Sequence, residues 1–500
     1  MNVHQGLIPN TDPKALARAL SGFNLIDGQL VRASSPDTFA VCNPATGLEI
    51  ARAPASGPAE VDLAVQAAVR AQVEWASMPA RKRGNLVGEC ARLLAAHVEE
   101  LGRLVALETG KALRTESRVE ASIVADALQF YGGLASELKG ESVPFSPEML
   151  TITTREPIGV VGVIIPWNAP MMLMALKIAP ALVAGNCVVV KSAEEAPLAV
   201  LRVCQILNQL LPAGVLNIVS GFGPECGGPL VAHPAVGKIT FTGSVETGRI
   251  VARAAGEKLI PVTLELGGKS PMIVMHDADI DKAVAGAVSG MRFTRQGQSC
   301  TAASRIFVHE SVHDAFVAKV KAKVDLMKMG DPLDEATDIG TIISRPQYDK
   351  VRSYIELGKT VRGAEPVECS ALPNDTALRD GLFVRPVIFT GLTNHSRLAR
   401  EEIFGPVTCV IKFSDYEDAL AAANDSDYGL AATIWTTDLR TALNASRRLQ
   451  AGFVQINQNI VVQPGLSYGG VKQSGLGREA SLEAMLDHFT HKKTIIFNMQ

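Results

Sequence analysis

Residues 159–191 read GVVGVIIPWNAPMMLMALKIAPALVAGNCVVVK, and this stretch decides the fold class. It contains two β-branched runs, Gly159–Ile165 and Cys187–Lys191, on either side of a helix-like segment, Met171–Ala184. Strands that are apolar almost throughout, rather than at alternate positions, are typical of a parallel sheet covered by helices on both faces. The sequence therefore predicts an α/β protein.

The alternation of strands and helices continues after residue 191. The further predicted elements are a helix at Leu198–Leu211, a strand at Leu216–Val219, a short helix ending near His233, a strand at Lys238–Thr242, a helix at Glu246–Ala255 and a strand at Pro261–Glu265. This order is typical of a dinucleotide-binding fold. A second α/β domain is predicted up to about residue 465, with strands at Ser304–Val308 and Val407–Phe413 and a helix at Val312–Met329.

Two other regions carry weaker patterns. Residues Ala59–Gly140 are predicted to be mostly helical, with one long periodic stretch at Lys82–Val105, and to cover or support the sheet. Residues Gly363–Asp380 carry proline, asparagine and glycine, which predicts a connecting loop.

Composition limits the classes of function. The 500 residues are 47% apolar, which is enough for two or three domain cores. A net charge of -3 without basic clusters makes nucleic acid an unexpected partner. We expect a cytoplasmic protein without a membrane partner, because there is no run of about 18 apolar residues and Met1–Asn10 lacks a secretory signal pattern. The eight cysteines form no CxxC pair and are expected to be reduced.

One cysteine and one glutamate propose a chemistry. Cys300 lies in the sequence Gln-Ser-Cys-Thr, and Glu265 opens the sequence Glu-Leu-Gly-Gly-Lys-Ser-Pro. A thiol becomes a strong nucleophile only after it loses its proton, so a catalytic cysteine needs a base, a cation or a helix terminus nearby. The pair predicts a thiol nucleophile with a carboxylate base, although a single cysteine taken alone is more often a small buried apolar side chain.

Two strand ends suggest a nucleotide site. Gly243–Gly248 lies between a predicted strand and a helix, where free backbone amides can meet a phosphate. It is not the GxGxxG fingerprint, so an ordinary turn stays open as an alternative. Lys191 and Glu194 follow another strand, where a carboxylate can accept hydrogen bonds from ribose and repel a 2'-phosphate.

The chain resembles the NAD(P)-dependent aldehyde dehydrogenase superfamily. The resemblance is carried in order along the chain by the motifs at residues 43–47, 108–111, 166–170, 191–194, 241–244, 265–268, 297–300, 402–406 and 469–479. It implies a parallel-sheet dinucleotide-binding domain, a second α/β catalytic domain and a small β oligomerisation element. The implied boundaries are 1–133 with 154–264, 265–467, and 134–153 with 481–500, respectively.

The resemblance also implies roles for individual residues. Cys300 would attack an aldehyde, the amide of Asn168 and the backbone N–H of Cys300 would stabilise the oxyanion, and hydride would pass to NAD. Glu265 would then activate water to hydrolyse the thioester. Without the resemblance, Asn168 would be interpreted as a turn residue. The cofactor contacts implied are Ile165, Trp167, Lys191, Glu194, Gly243, Ser244, Gly248, Glu402 and Phe404.

Glu194 favours NAD, while NADP stays possible because some relatives with this glutamate use both cofactors. Ser192 stands where proline is frequent in the family and is expected to loosen the adjacent turn.

Substrate choice is expected to depend on the tunnel to Cys300. The resemblance places there Ala169, Leu173, Leu176, Thr294, Ser299, Thr301, Ile460, Val462 and Tyr468. Most of these are small or apolar, which predicts an aromatic, terpenoid or medium-chain aldehyde. No aromatic cage is evident, which disfavours betaine aldehyde. Arg295 leaves an alternative open: it would bind a substrate carboxylate, as in a semialdehyde dehydrogenase, or form a structural pair.

Two metal-like patterns are interpreted otherwise, and no metal is predicted. His309–His313 fits HExxH, but His309 is expected to end a strand and Ser311 to be the N-cap of the next helix. Asp277, Asp279 and Asp281 are expected to lie before a helix as caps.

Two β-prone segments of the chain bear on how it assembles. Thr151–Thr154 and Lys493–Phe497 are β-prone edges, which favours a homodimer or homotetramer, with pairing inside one chain as the alternative. A coenzyme A-acylating enzyme and a structural protein without activity are the rival functions. Glu265 speaks against the former, and the set of Cys300, Glu265 and Asn168 speaks against the latter.

Overall fold

A computed structural model describes residues 11–459 and 462–500 of the chain. Within these ranges two large sheets form, and most neighbouring strands in each are parallel. In the first sheet the strands lie in the order Gln29–Val31, Asn24–Ile26, Leu216–Val219, Cys187–Lys191, Val160–Ile164, Val236–Thr242, Val262–Glu265 and Gly475–Leu476. In the second sheet the order is Glu365–Glu368, Val387–Thr390, Val407–Phe413, Arg305–His309, Pro271–Val274, Ala431–Trp435 and Phe453–Ile456.

The smaller sheets pair short segments. Thr38–Cys42 pairs with Glu49–Pro54, and Tyr428–Gly429 pairs with Val471–Lys472. In a third one Met149–Pro157 lies between Ser142–Ser146 and Thr490–Asn498. The α-helices of the described residues are Pro13–Leu20, Pro58–Ser77, Ala80–Ala95, Val98–Thr109, Arg118–Gly133, Pro170–Val183, Leu198–Leu207, Gly228–Ala232, Val245–Glu257, Ile280–Met291, Glu310–Asp325, Arg345–Thr360, Arg397–Arg400, Tyr416–Asn424, Leu439–Arg448 and Leu482–Phe489.

The centre of the first sheet forms because its sequence is apolar on both faces. Every residue of the strands Val160–Ile164 and Cys187–Lys191 is buried. The helix between them, Pro170–Val183, is buried at all positions except Met172, as expected for a helix enclosed on all sides. Its first residue is proline, which suits a position whose N–H has no helical acceptor. The predicted α/β class with parallel sheets is confirmed.

Several predicted elements differ from the observed ones. The helix that starts at Leu198 ends at Leu207 rather than at Leu211. The periodic stretch 82–105 is divided between two helices by Ala96 and His97. The N-cap before Glu310–Asp325 is His309, whose side chain accepts from the Ser311 N–H, so the assignment of Ser311 as the cap was wrong. The predicted loop 363–380 contains the edge strand Glu365–Glu368, which pairs antiparallel with Val387–Thr390.

The chain's tail is paired rather than open. Thr490–Asn498 forms an antiparallel ladder with Met149–Pro157 over nine residue pairs, from Thr490 opposite Pro157 to Asn498 opposite Met149. Pairing inside one chain, the alternative left open by the sequence, is therefore present. The outer edges of this three-stranded sheet carry exposed apolar side chains, including Phe145 and Phe497.

Candidate active site

The two sheets meet at residues 266–270. The strand Val262–Glu265 ends the parallel part of the first sheet, and Pro271 begins a strand of the second sheet. A Cβ atom on Gly268 would lie 2.4 Å from the carbonyl oxygen of Cys300, closer than any real contact. Only glycine fits there. The segment that follows Glu265 therefore touches the backbone of the residue predicted to be the nucleophile.

The loop that holds Cys300 has an unusual backbone. After the helix Ile280–Met291, positive φ angles occur at Arg292 (56°), Gln296 (55°) and Gly297 (65°). Such angles are unfavourable for residues other than glycine, and they persist where the surrounding structure holds the backbone in place. The Gln298 side chain does so: its amide donates to the carbonyl of Thr341 at 3.1 Å, and its oxygen accepts from the Ile343 N–H at 3.0 Å.

Cys300 is half-buried in the wall of a cleft whose volume is about 110 Å³. Burial raises the pKa of its thiol to about 11, and the nearby charge of Arg295 opposes this rise. The Tyr468 hydroxyl lies 3.6 Å from its Sγ atom. At neutral pH the thiol in this arrangement is protonated. A catalytic role would therefore require a group that removes its proton or stabilises the thiolate charge.

Glu265 is buried, and neither carboxyl oxygen has a hydrogen-bond partner among the described residues. Burial and, after it, the charge of Glu479 raise its pKa well above 4.5, while Lys177 and Arg478 act in the opposite direction. A buried carboxyl that lacks partners is costly to keep and is typical of a functional group. A raised pKa brings the carboxyl toward the range in which a general base works.

Asn168 lies between the strand Val160–Ile164 and the helix Pro170–Val183, and it lines the same cleft as Cys300. The ammonium group of Lys111 donates to its carbonyl oxygen at 3.0 Å. Its side-chain Nδ2 donates to the carbonyl of Gln298 at 3.2 Å, which holds the amide beside the Cys300 loop. No acceptor for the backbone N–H of Cys300 is found within the described residues. The cleft thus offers two nitrogen donors near the sulfur.

The predicted cofactor residues at strand ends lie along one edge of the first sheet. Lys191 ends its strand, Ile165 follows the neighbouring strand, and Gly243 follows the next one. Because these strands are parallel, their carboxyl ends share one edge, the usual place of a dinucleotide. The Lys191 Nζ atom donates to Glu194 at 2.9 Å. Ser192 is fully buried and hydrogen-bonds Ser220 at 3.0 Å.

The turn after the strand Val236–Thr242 forms the start of a helix. Ser244 is the N-cap of Val245–Glu257 and accepts from the Thr247 N–H at 3.2 Å. The amides before Thr247 point out of the helix, where they can bind a phosphate. A Cβ atom on Gly248 would lie 2.5 Å from the side chain of Leu266, so this glycine allows close helix packing.

A second group of predicted cofactor residues lies beyond Gly268. Glu402 accepts a hydrogen bond from the Gly268 N–H at 2.8 Å. The ring of Phe404 meets that of Trp167 edge-on, with 5.3 Å between centroids. Phe404 has a φ angle of 57°, which is unfavourable for an aromatic residue. These residues bring aromatic faces and a carboxylate next to the Gly267–Gly268 segment. The residues present fit a dinucleotide by their chemistry: amides for phosphate, carboxylates for ribose, rings for a base.

Most of the predicted tunnel residues lie in the wall of the cleft. These are Ala169, Leu173, Leu176, Ser299, Thr301, Val462 and Tyr468. Thr294 is not among the residues that line the cleft, and its hydroxyl donates to Glu116 at 2.5 Å. Ile460 lies outside the described residues.

The N-terminal half of the chain contributes a wall of the cleft that was not predicted from the sequence. That wall comprises Thr115, Glu116, Val119, Glu120, Ile123 and Met172, and Arg292 faces it. The available signal was the apolar pair Val119 and Ile123, which lie four residues apart on the helix Arg118–Gly133 and so share one face of it. Both side chains line the cleft.

Arg295 both lines the cleft and forms an ion pair. Its Nε and Nη2 atoms donate to one carboxyl oxygen of Glu116 at 2.9 and 2.6 Å. The charges of Arg295 and Arg292 lower the pKa of Glu116 to about 2, although burial opposes them. Glu120 pairs with Lys111, whose ammonium is buried with it. Glu116 therefore stays charged, and two guanidinium groups face one carboxylate on this side of the cleft.

Comparison with known proteins decides the family. The model of the aldehyde dehydrogenase family matches residues 30–495. The chain belongs to this family. It is 41% identical to a hydroxyisobutyraldehyde dehydrogenase of Mycolicibacterium austroafricanum, over 95% of this chain and 93% of that protein. It is also 41% identical to a betaine aldehyde dehydrogenase of Rhizobium etli, over 95% and 97% of the two chains.

Solved structures agree with this aldehyde dehydrogenase in fold. The NAD+ complex of an aldehyde dehydrogenase from Bacillus cereus superimposes with a TM-score of 0.92 at 37% identity, covering 96% of this chain and 97% of that one. The family and enzyme class predicted from the sequence are thereby confirmed. No helix within residues 11–459 and 462–500 has the length and apolar character needed to cross a membrane.

The metal-like patterns were also located. His309 ends the strand Arg305–His309 and His313 lies in the following helix. Asp279 is the N-cap of Ile280–Met291, and Asp277 accepts hydrogen bonds from Thr436 and Thr437. Asp281 forms an ion pair with Lys319. Each acidic residue therefore has a structural role.

Proposed function

We propose that this aldehyde dehydrogenase oxidises an aldehyde to the carboxylic acid with NAD, through a thioester on Cys300. The observation that supports it most strongly is the arrangement around Gly268. The cleft thiol and the buried Glu265 carboxyl, which has no hydrogen-bond partner among the described residues, lie on segments in backbone contact.

The proposed reaction begins at the cleft sulfur. The Cys300 thiolate attacks the aldehyde carbon, and the resulting oxyanion accepts hydrogen bonds from the Asn168 amide and the Cys300 N–H. When bound, NAD accepts the hydride. Glu265 takes a proton from water, which attacks the thioester, releases the acid and restores the thiol. In sum, one aldehyde, one water and one NAD+ give one acid, one NADH and one proton.

The residues proposed to hold NAD fall into three groups. Lys191 and Glu194 would bind the adenine ribose, and Gly243, Ser244 and Gly248 with the helix start would bind the diphosphate. Ile165, Trp167, Glu402 and Phe404 would surround the nicotinamide ribose and ring. The NAD+ complex of the Bacillus cereus relative supports this choice of cofactor. Glu194 is partly exposed, and its charge opposes an added 2'-phosphate.

The substrate we propose is a hydrophobic aldehyde. The wall formed by Val119, Ile123, Met172, Leu173 and Leu176 is apolar and suits an aromatic, terpenoid or medium-chain group. Betaine aldehyde, which names one relative, is disfavoured for this chain. Among the described lining residues Tyr468 is the single aromatic one, and the two arginines repel a cationic substrate.

A second candidate is an aldehyde that also carries a carboxylate. Arg292 and Arg295 both line the cleft, and Arg295 pairs with Glu116. A substrate carboxylate would find a favourable potential there. The relative named for hydroxyisobutyraldehyde also points to a substrate with a polar group near the aldehyde.

Steady-state NADH formation with both cofactors tests these proposals. The panel should pair aldehydes of equal length with and without a terminal carboxylate, and each reaction should be repeated with coenzyme A. Cys300→Ala should abolish turnover while cofactor binding persists, and Glu265→Gln should stop after one burst of hydride. Acyl-coenzyme A as the product would instead support the acylating alternative. Wild-type rates in either variant would refute the assigned roles.

We also propose the domain division and assembly expected from the sequence. Residues 1–133 with 154–264 would bind the dinucleotide, residues 265–467 would carry Cys300, and residues 134–153 with 481–500 would join subunits into a homodimer or homotetramer in the cytoplasm. The exposed Phe145 and Phe497 support such a contact. Light scattering after gel filtration, with the variant Phe497→Lys as a test, would report the assembly.

A further inference from the structure

A tyrosine hydroxyl lies within hydrogen-bonding distance of the proposed nucleophile. The Tyr468 hydroxyl and the Cys300 Sγ atom are 3.6 Å apart, a hydrogen-bonding distance given the large radius of sulfur. Among the described residues, Sγ is the hydrogen-bond partner found for this hydroxyl. The family resemblance gave Tyr468 only a place in the tunnel wall.

The position of this hydroxyl does not depend on the sulfur. The Tyr468 N–H donates to the carbonyl of Glu479 at 2.9 Å, and the Glu479 N–H donates back at 2.7 Å. The tyrosine ring, 4% exposed, meets the ring of Phe453 edge-on with 5.8 Å between centroids. Backbone and ring packing therefore aim the hydroxyl at Sγ before any substrate arrives, which is the requirement for a preorganised donor.

We propose that Tyr468 is a catalytic residue that donates a hydrogen bond to the Cys300 thiolate and so makes the nucleophile available. This inference rests on the proposed role of Cys300. It assigns to the hydroxyl a function that the ring alone, as in phenylalanine, cannot supply.

The electrostatic surroundings support a neutral donor at this position. Burial, followed by the charges of Cys300 and Glu265, raises the pKa of Tyr468 well above 10, so the phenol keeps its proton at physiological pH. The hydrogen bond from Tyr468 lowers the thiol pKa. Other charged groups also face the sulfur: Glu265 and Glu402 disfavour the thiolate, while Arg292 and Arg295 favour it. Tyr468 adds a short, directed contact to these longer-range charges.

The test is the pH dependence of alkylation of Cys300 by iodoacetamide in the full-length protein, followed by peptide mass spectrometry. Tyr468→Phe should raise the midpoint by about one pH unit and slow alkylation about tenfold at neutral pH, since hydrogen bonds to charged groups are the stronger ones. The exposed thiol of Cys42 is an internal reference that should not change. Tyr416→Phe, which removes a hydroxyl bonded to Asn444 outside the cleft, is the matched control.

A second substitution predicts the opposite shift. Difluorotyrosine at position 468 is a stronger donor of the same shape, so the midpoint for Cys300 should fall. An unchanged or lowered midpoint in Tyr468→Phe, or a raised one with difluorotyrosine, would overturn the proposal. The assay requires no aldehyde, so failure of the whole aldehyde panel would reject the proposed function without deciding this one. With an active aldehyde, the midpoint of the acid limb of the kcat/KM profile should rise in Tyr468→Phe and fall with difluorotyrosine.

Discussion

Replacing Lys177 by methionine should destabilise the protein strongly, because one buried carboxylate depends on it. The Lys177 side chain is fully buried and pairs with Glu479, whose side chain is 4% exposed. The other donor to Glu479 is the Thr240 hydroxyl at 3.2 Å, and the second carboxyl oxygen has no partner among the described residues. Removing one partner of a buried ion pair costs about 3–5 kcal/mol, and because the Thr240 bond remains, the expected loss in unfolding free energy is about 3 kcal/mol.

The double variant Lys177→Met with Glu479→Gln provides the decisive comparison. It removes both charges and keeps an acceptor for Thr240. Its free energy of unfolding should therefore lie within about 1 kcal/mol of the wild-type value. Guanidinium denaturation of the wild type, both single variants and the double variant would measure the coupling between the two positions. A Lys177→Met midpoint equal to that of the wild type, or a double variant as unstable as Lys177→Met, would refute this reasoning.

The same substitution should change the chemistry of thioester release. Lys177 lowers the pKa of Glu265, so its loss should raise that pKa further. Glu265 acts as a base only when deprotonated. The pH at which thioester hydrolysis reaches half of its maximum should therefore move upward in Lys177→Met, as single-turnover kinetics would show.

Three further outcomes are expected. Glu194→Gln should raise kcat/KM for NADP about tenfold relative to NAD, because the repelling charge is removed; an unchanged ratio in assays with both cofactors would contradict this. Gly286→Ala should lower the free energy of unfolding, since its Cβ atom would lie 2.1 Å from the Trp435 ring. Gly256→Ala, a helical position with open space, should raise the free energy of unfolding by about 0.5–1 kcal/mol. The pKa of Glu265 is raised in the folded protein, so the contribution of this carboxyl to stability is complete below about pH 4.5. That contribution is lost as pH rises through the pKa of the folded state. Glu265→Gln should remove this part of the pH dependence of the unfolding free energy.

The sequence predicted the buried strands best. Cys187–Lys191, Leu216–Val219 and Val407–Phe413 have the predicted bounds, because β-branched residues that are buried on both faces leave little ambiguity. The division of residues 82–105 at Ala96 and His97 was not predicted, because the stretch was interpreted as one continuous helical period. His97 lies within 3.4 Å of Glu100, which also accepts from Arg202 on another helix.

The candidate site was predicted unevenly for a similar reason. Cys300, Glu265 and Asn168 stand in motifs with recognisable chemistry. Glu116 does not: its importance arises from Arg295, which is distant in sequence and binds its carboxylate. No local pattern records such a pairing. The hydrogen bond between Tyr468 and Cys300 likewise depends on how the backbone of Tyr468 pairs with Glu479.

The contact between Gly268 and the Cys300 carbonyl has a consequence for how activity can be lost. A Cβ atom added at Gly268 would lie 2.4 Å from the Cys300 carbonyl oxygen, so an alanine at this position would force the two main-chain segments to shift relative to each other. Under the proposed mechanism, Gly268→Ala is therefore expected to lower turnover although every proposed catalytic side chain is retained.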